Sequence, residues 1–289
     1  MQSLWKEEVA SPMKQEDKRA DHYWSTPISL PRIMETLVIM PYRQDKAQGN
    51  EIKLSLEGWK NNCKFDYHFA VIGEFNEDLK EEFPWVDFIY CKTKEEVEDQ
   101  YNPHLDIQHK MEVGMEMFGD RYDGFIEMLD DAYAVRPFNL EDIQCVHYHK
   151  LPFIDEKFAP KSFWVYDKWK TRKLLNDNGF PQIDYTAHIP VYYEFKKLKE
   201  IWDRFNMRNE SYVLEDLYFN YFKHDEEKAD TDILIGIWNK RSREENIKQV
   251  YDNHNIKFVC NGFLGHSKEL ENDITKLIEI KKIKKNEIH

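Results

Sequence analysis

Two adjacent carboxylates, Asp130 and Asp131, follow the apolar run Phe125-Ile126-Glu127-Met128-Leu129 and precede Ala132-Tyr133-Ala134-Val135. Neighbouring carboxylates repel each other, so a site that keeps both ionised supplies a cation, and hard oxygen ligands select Mg²⁺ or Mn²⁺. Phosphate is the natural companion of such an ion. Standing alone, the pair reads more readily as a solvated turn between two strands. Its surroundings decide between the two.

Pro41-Tyr42-Arg43-Gln44-Asp45 also follows an apolar run and leads to a helix signal, whose N-terminus favours anions. There Arg43 would pair with a diphosphate, Asp45 with a ribose or base, and Tyr42 would stack on a base. His266, in the glycine-bearing turn after the last apolar run, is a candidate third metal ligand; imidazole suits Mn²⁺ better than Mg²⁺. Glu215 and Asp216, set among aromatics, are candidates for the base that deprotonates a sugar hydroxyl, because apolar surroundings raise a carboxyl pKa. Acidic residues also suit an ordinary helix N-terminus. His188, in His188-Ile189-Pro190, is a catalytic candidate set against the plainer role of a hydrogen-bonded histidine. Asp230-Thr231-Asp232 has Asp-x-Asp spacing but precedes a strand instead of following one, and ranks below Asp130-Asp131.

The elements that must position these groups alternate. Thr36-Leu37-Val38-Ile39-Met40 reads as a strand buried on both faces of a parallel sheet. A helix follows with Ile52, Leu56 and Trp59 on one stripe and Asn50 as its N-cap. Strands are expected at Phe69–Gly73 and Val86–Tyr90, and a helix through Leu105, Met111, Met115 and Phe118. The second half is more helical: Tyr166–Asn176, stopped by Asn178-Gly179-Phe180-Pro181, then helices through Trp202 and Leu217. Late strands at Ile233–Trp238 and Ile256–Cys260 are expected to join the same sheet. Strand, loop and helix in alternation give an α/β fold with a mostly parallel central sheet and flanking helices.

A polar N-terminal arm over 1–34 would precede one continuous domain, with a nucleotide-sugar half at 35–150 and an acceptor-side helical half at 151–289. A net charge of -13 repels nucleic acid, so any phosphate must be met locally. Cys63, Cys91, Cys145 and Cys260 lack metal-ligand or CxxC spacing and read as reduced core thiols of a cytoplasmic protein. The lysine-rich run Lys276–Lys285, with Ile278, Ile280 and Ile283, would allow weak membrane-surface contact through the C-terminal tail.

Val38–Asp45, Lys110 and Phe125–Tyr133 resemble bacterial and phage nucleotide-sugar glycosyltransferases of the A-type (GT-A, Rossmann-like) fold, and are similar to the Stealth sugar-phosphate transferases. The resemblance covers about residues 36–145. It implies donor contacts from Pro41, Tyr42, Arg43, Asp45, Lys110 and Asp130, and metal or diphosphate contact from Asp130 and Asp131. The sequence departs from the A-type Asp-x-Asp at Leu129, and from the Asn that precedes the acidic pair in Stealth proteins. The expectation is a divalent-metal-assisted hexosyltransferase of polysaccharide biosynthesis, using Mn²⁺ or Mg²⁺ to move sugar from a nucleotide-sugar donor to a glycan or other hydroxyl acceptor. Two alternatives stand beside it: a Stealth-like sugar-phosphate transferase, and a non-catalytic nucleotide- or sugar-binding protein of the same fold.

Overall fold

The computed structural model describes residues 35–94, 102–144, 163–186, 188–222 and 233–286, with side chains of the last helix described to Glu279. The 1–34 arm, Cys145 and the Asp230-Thr231-Asp232 motif lie outside them. In chain order the elements are β1 Thr36–Arg43, α1 Glu51–Asn62, β2 Tyr67–Glu74, α2 Glu77–Glu82, β3 Val86–Tyr90, α3 Pro103–Phe118, β4 Gly124–Glu127 and β5 Ala132–Ala134. There follow α4 Leu140–Gln144, α5 Phe163–Asp177, β6 Val191–Glu194, α6 Phe195–Arg204, α7 Leu214–Tyr221, β7 Leu234–Ile237, α8 Arg243–Asp252, β8 Phe258–Asn261 and α9 Lys268–Asn286.

Five strands form the main sheet in the order β3-β2-β1-β4-β6. The first four run parallel and β6 is antiparallel. Leu37 to Met40 of β1 are fully buried, as a strand covered on both faces requires. Successive β1 residues feed opposite cores: Leu37 and Ile39 pack with α3, α6 and α7 residues such as Met111, Leu198 and Leu217, whereas Val38 and Met40 pack with Ile52, Leu56 and Trp59 of α1. The sheet order reverses between β1 and β4, which leaves a crevice outside their carboxyl ends, where ligands of open α/β sheets bind.

The late strands do not join this sheet. β7 and β8 form a second, three-stranded sheet with β5, in the order β5-β8-β7. The reason lies in α1, which claims the free side of β5. Ser55 Oγ donates to the Ala132 carbonyl at 2.8 Å, and Asn62 Nδ2 to the Ala134 carbonyl at 2.8 Å. Asn50 stands at the N-cap of α1 as expected, but its side chain makes no capping bond there, and its backbone N–H donates to Glu271 at 2.7 Å.

α5 ends where the Asn-Gly signal placed it. Gly179 adopts the left-handed φ of 70°, and the N–H groups of Gly179 and Phe180 donate to the Asn176 and Leu175 carbonyls at 3.0 and 2.9 Å, a Schellman closure. The apolar side of α9 turns inward. Leu270, Ile274, Leu277 and Ile278 are buried with Val259 and Ile247, so Ile278 faces a core where a membrane contact was expected. Among the described residues no helix is long and apolar enough to cross a membrane. Cys63, Cys91 and Cys260 are free thiols.

Candidate active site

β1 and β4 deliver the two motifs to neighbouring strand ends, and the loop between β1 and α1 closes over them. Between them lies a cavity of about 240 Å³ lined by Pro41, Tyr42, Arg43, Lys46, Glu51, Asp106, Lys110, Asp130, Asp131 and Phe263. That is slightly under the roughly 300 Å³ at which small-molecule pockets begin. A nucleotide sugar seated there would extend past its mouth. Asp45 does not line it; it holds the Arg43 guanidinium through two hydrogen bonds of 2.5 and 3.0 Å, which fixes the direction Arg43 points.

Three acids converge on the floor. Burial pushes Asp130 up to about 7, with Glu51 repelling in the same sense and Lys110 opposing. Asp131 is raised well above the usual carboxylate range by burial, then by Asp130 and Glu51. Glu51 is itself buried and held from two sides, by the Gln48 N–H and by Asn261 Nδ2, both at 2.7 Å. Asn261 also accepts from the Tyr133 hydroxyl at 2.5 Å and donates its backbone N–H to the Asp131 carbonyl at 3.2 Å. The second sheet thereby grips the acidic pair from behind.

The basic wall is Lys110, 1% exposed and paired with Asp106 at 2.5 Å, one helical turn away. It passes beside Gly73, where a Cβ would stand 1.8 Å from the Tyr42 carbonyl and 3.2 Å from Lys110 Cε. Only a residue without a side chain lets β1 and this lysine approach so closely.

The acidic pair fits a divalent cation. Mg²⁺ and Mn²⁺ are commonly held by one or two carboxylates completed by substrate phosphates and water, and the lining sets four carboxylates, Glu51, Asp106, Asp130 and Asp131, against Arg43, Lys46 and Lys110, an excess of negative charge that a cation would relieve. The expected third ligand does not join it. His266 lies 3.2 Å from Glu271, which also accepts from Lys268 at 2.6 Å, and His266 does not line the cavity. Among the described residues no three His, Cys, Asp or Glu side chains are grouped to hold a metal. The local reason is Glu271, whose carboxylate draws the imidazole to the start of α9.

The base candidates lie outside the cavity lining, in the first turn of α7. Asp216 is 1% exposed and accepts from the Tyr185 N–H at 2.6 Å, with Lys168 at 4.0 Å. Burial raises it to about 7. Glu215 is half-buried and raised by burial, with His104 and Lys168 pulling it down. It faces Glu127 of β4, which burial and Glu215 push well above the carboxylate range. His188 takes a left-handed φ of 51° and sets its ring edge-on to Trp238 at 4.9 Å, away from the acidic floor's lining.

Glu51, Asp106, Glu127 and Phe263 escaped the sequence reading. Asp106 had a signal, since it lies one turn before Lys110, where a buried lysine would seek a partner. Glu51 looked like any first-turn acid, and nothing local marks Phe263 as a wall of this cavity.

No family model and no curated protein sequence matches the chain. Solved structures of glycosyltransferases are similar in arrangement. WbbM, a bifunctional glycosyltransferase in its apo form, gives a TM-score of 0.47 at 11% identity over 85% of this chain and 50% of that one. GlyE of Streptococcus pneumoniae TIGR4 gives 0.43 at 8% identity over 88% and 64%. Mouse xyloside xylosyltransferase 1, apo form, gives 0.41 at 8% identity over 81% and 99%. The chain thus spans half of WbbM and less than two-thirds of GlyE. TM-scores below 0.5 assign neither a family nor an activity, and the functional case rests on the cavity.

Proposed function

We propose that the protein is a glycosyltransferase that takes a nucleotide-diphosphate sugar and passes the sugar to a hydroxyl acceptor, assisted by Mn²⁺ or Mg²⁺. The observation that carries the reading is the crevice at the β1/β4 sheet reversal, where Arg43 and Lys110 face the Asp130-Asp131 pair. A cavity lined by Arg43, Lys46 and Lys110 together with Glu51, Asp106, Asp130 and Asp131 suits a metal-bound diphosphate better than a simple anion or a free cation.

In this mechanism Arg43 and Lys110 stabilise the negative charge that grows on the leaving diphosphate, and Asp45 keeps Arg43 aimed at it. Asp130 and Asp131 would hold the ion, which supplies Lewis-acid stabilisation of the leaving group. Glu215, and not the fully buried Asp216, is the candidate base: its raised affinity for protons suits it to take the acceptor O–H proton. The acceptor oxygen bonds to the anomeric carbon, the bond from that carbon to the phosphate oxygen breaks, and the nucleoside diphosphate departs.

Incubation with a panel of nucleotide sugars and Mn²⁺ should release nucleoside diphosphate and form a glycosidic bond, and Asp131→Ala should abolish both. A phosphodiester product would assign sugar-phosphate transfer instead. No release from any donor, together with no thermal stabilisation by UDP and Mn²⁺, refutes the reading.

A further inference from the structure

Trp238 is 48% exposed at the end of β7, yet its position is built. A Cβ on Gly236 would stand 2.6 Å from the indole carbons Cε2 and Cζ2, and one on Gly262 3.0 Å from Cε3. Gly236 is two residues back on the same strand face, and Gly262 follows β8, the parallel neighbour of β7. The indole therefore lies flat across two strands where both lack side chains, and the His188 ring stands at 63° to it with centroids 4.9 Å apart. One ring face rests on backbone, and the residue keeps about half of its surface open to solvent.

The floor is rigid. Asn246 Nδ2 donates to the Gly236 carbonyl at 2.9 Å, and the Gly262 N–H to the Ile237 carbonyl at 3.2 Å. The next residue, Phe263, is 77% exposed and lines the cavity that holds Asp130 and Asp131, with its carbonyl taken by Gln48 at 3.4 Å. Phe263 thus links the cavity lining to the turn whose Gly262 lies beneath the indole.

Three exposed apolar side chains, Trp238, Phe263 and Leu264, follow the adjacent ends of β7 and β8 and supply the apolar part of this surface. Their open area is on the order of 400 Å², half of the roughly 800 Å² each partner gives to a stable protein interface. Exposed Asn239, Lys240 and Arg241 border it, which suits a small ligand with an apolar face and a hydroxylated rim better than a lipid chain. Pyranose rings have that shape: axial C–H groups on a face, hydroxyls around the edge.

We propose that Trp238 is a stacking platform for a pyranose ring of a carbohydrate acceptor. Its role as an acceptor seat rests on the transferase reading, whereas sugar binding does not and is measured without a donor. Protein labelled with 5-fluorotryptophan is titrated with chitotetraose, maltotetraose, cellotetraose and mannotetraose, the Trp238 ¹⁹F resonance being assigned by its loss in Trp238→Phe. At least one sugar should shift that resonance saturably. Calorimetry should then show Trp238→Ala weakening the same sugar about tenfold, the loss of one ring contact, and Trp238→Phe weakening it about threefold or less. Thermal stabilisation by UDP and Mn²⁺ should be equal in all three proteins.

The proposal is overturned if none of the four sugars moves the Trp238 signal, or if Trp238→Ala binds as tightly as the unaltered protein. It is also overturned if UDP moves the signal and Trp238→Ala loses UDP stabilisation, which would give the ring to the nucleobase. Sugar binding that persists without any nucleotide response would sink the transferase reading and leave the platform standing.

Discussion

Burial pushes Asp130 up to about 7, and Glu51 repels its ionised form in the same sense. A cation bound through its carboxylate competes with that proton. Asp130 is about one-tenth ionised at pH 6 and nine-tenths at pH 8, so apparent Mn²⁺ affinity should rise about tenfold across that interval, ~1.4 kcal/mol. Asp131, raised in the same direction, makes the true dependence steeper. Stability without added metal should run the other way. A carboxyl whose folded pKa exceeds its unfolded value keeps a proton that unfolding releases, so stability is lost as pH climbs from the unfolded value towards the folded one. Raising Asp130 from 3.8 to about 7 would remove at most ~4 kcal/mol over that window, and about half of this once the solvent reaching a half-buried group is counted. Mn²⁺ titration followed by electron paramagnetic resonance at pH 6, 7 and 8, with urea unfolding at pH 5 and 8, reads both effects. Asp130→Asn should bind Mn²⁺ more weakly and flatten both profiles. A wild-type affinity independent of pH, or an Asp130→Asn variant with the wild-type slope, would refute the reasoning.

Two further outcomes follow from the cavity walls. Lys110→Met leaves Asp106 buried beside an apolar chain, and urea denaturation should register a loss of about 3–5 kcal/mol, partly regained in the Asp106→Asn/Lys110→Met double variant; a loss under about 1 kcal/mol would contradict the buried pairing. Gly73→Ala drives a Cβ to 1.8 Å from the Tyr42 carbonyl, so calorimetric melting should report a loss of about 2 kcal/mol or more together with weakened UDP binding, and an unchanged melting temperature would show that β1 and β2 are not locked as described.

The strands that feed the main sheet were legible because burial on both faces writes itself as an unbroken apolar run, as in Leu37 to Met40. Asp130 and Asp131 were legible as a pair with a place, the exit of such a strand. Partnership was not. Leu234 to Ile237 and Phe258 to Asn261 read as strands, but periodicity carries no information about which edge a strand will join. That choice was made by Ser55 and Asn62, whose side chains hydrogen-bond β5 from α1. His266 illustrates the same limit at the site: its chemistry suits Mn²⁺, yet Glu271, five residues on, holds it elsewhere. Glu51 and Phe263 reach the cavity through tertiary placement alone.

The chain leaves the main sheet at Glu127 and enters the second sheet at Ala132, so Asp130 and Asp131 occupy the step between two sheets that share one core. Their spacing is set jointly, by β1 on one side and by Asn261 on the other. A fragment ending near residue 150 would retain both motifs that first drew attention and still lack half of the frame that aligns them. Conversely, changes near Asn261 offer a handle on the acidic pair from 130 positions downstream in the sequence, without touching either carboxylate.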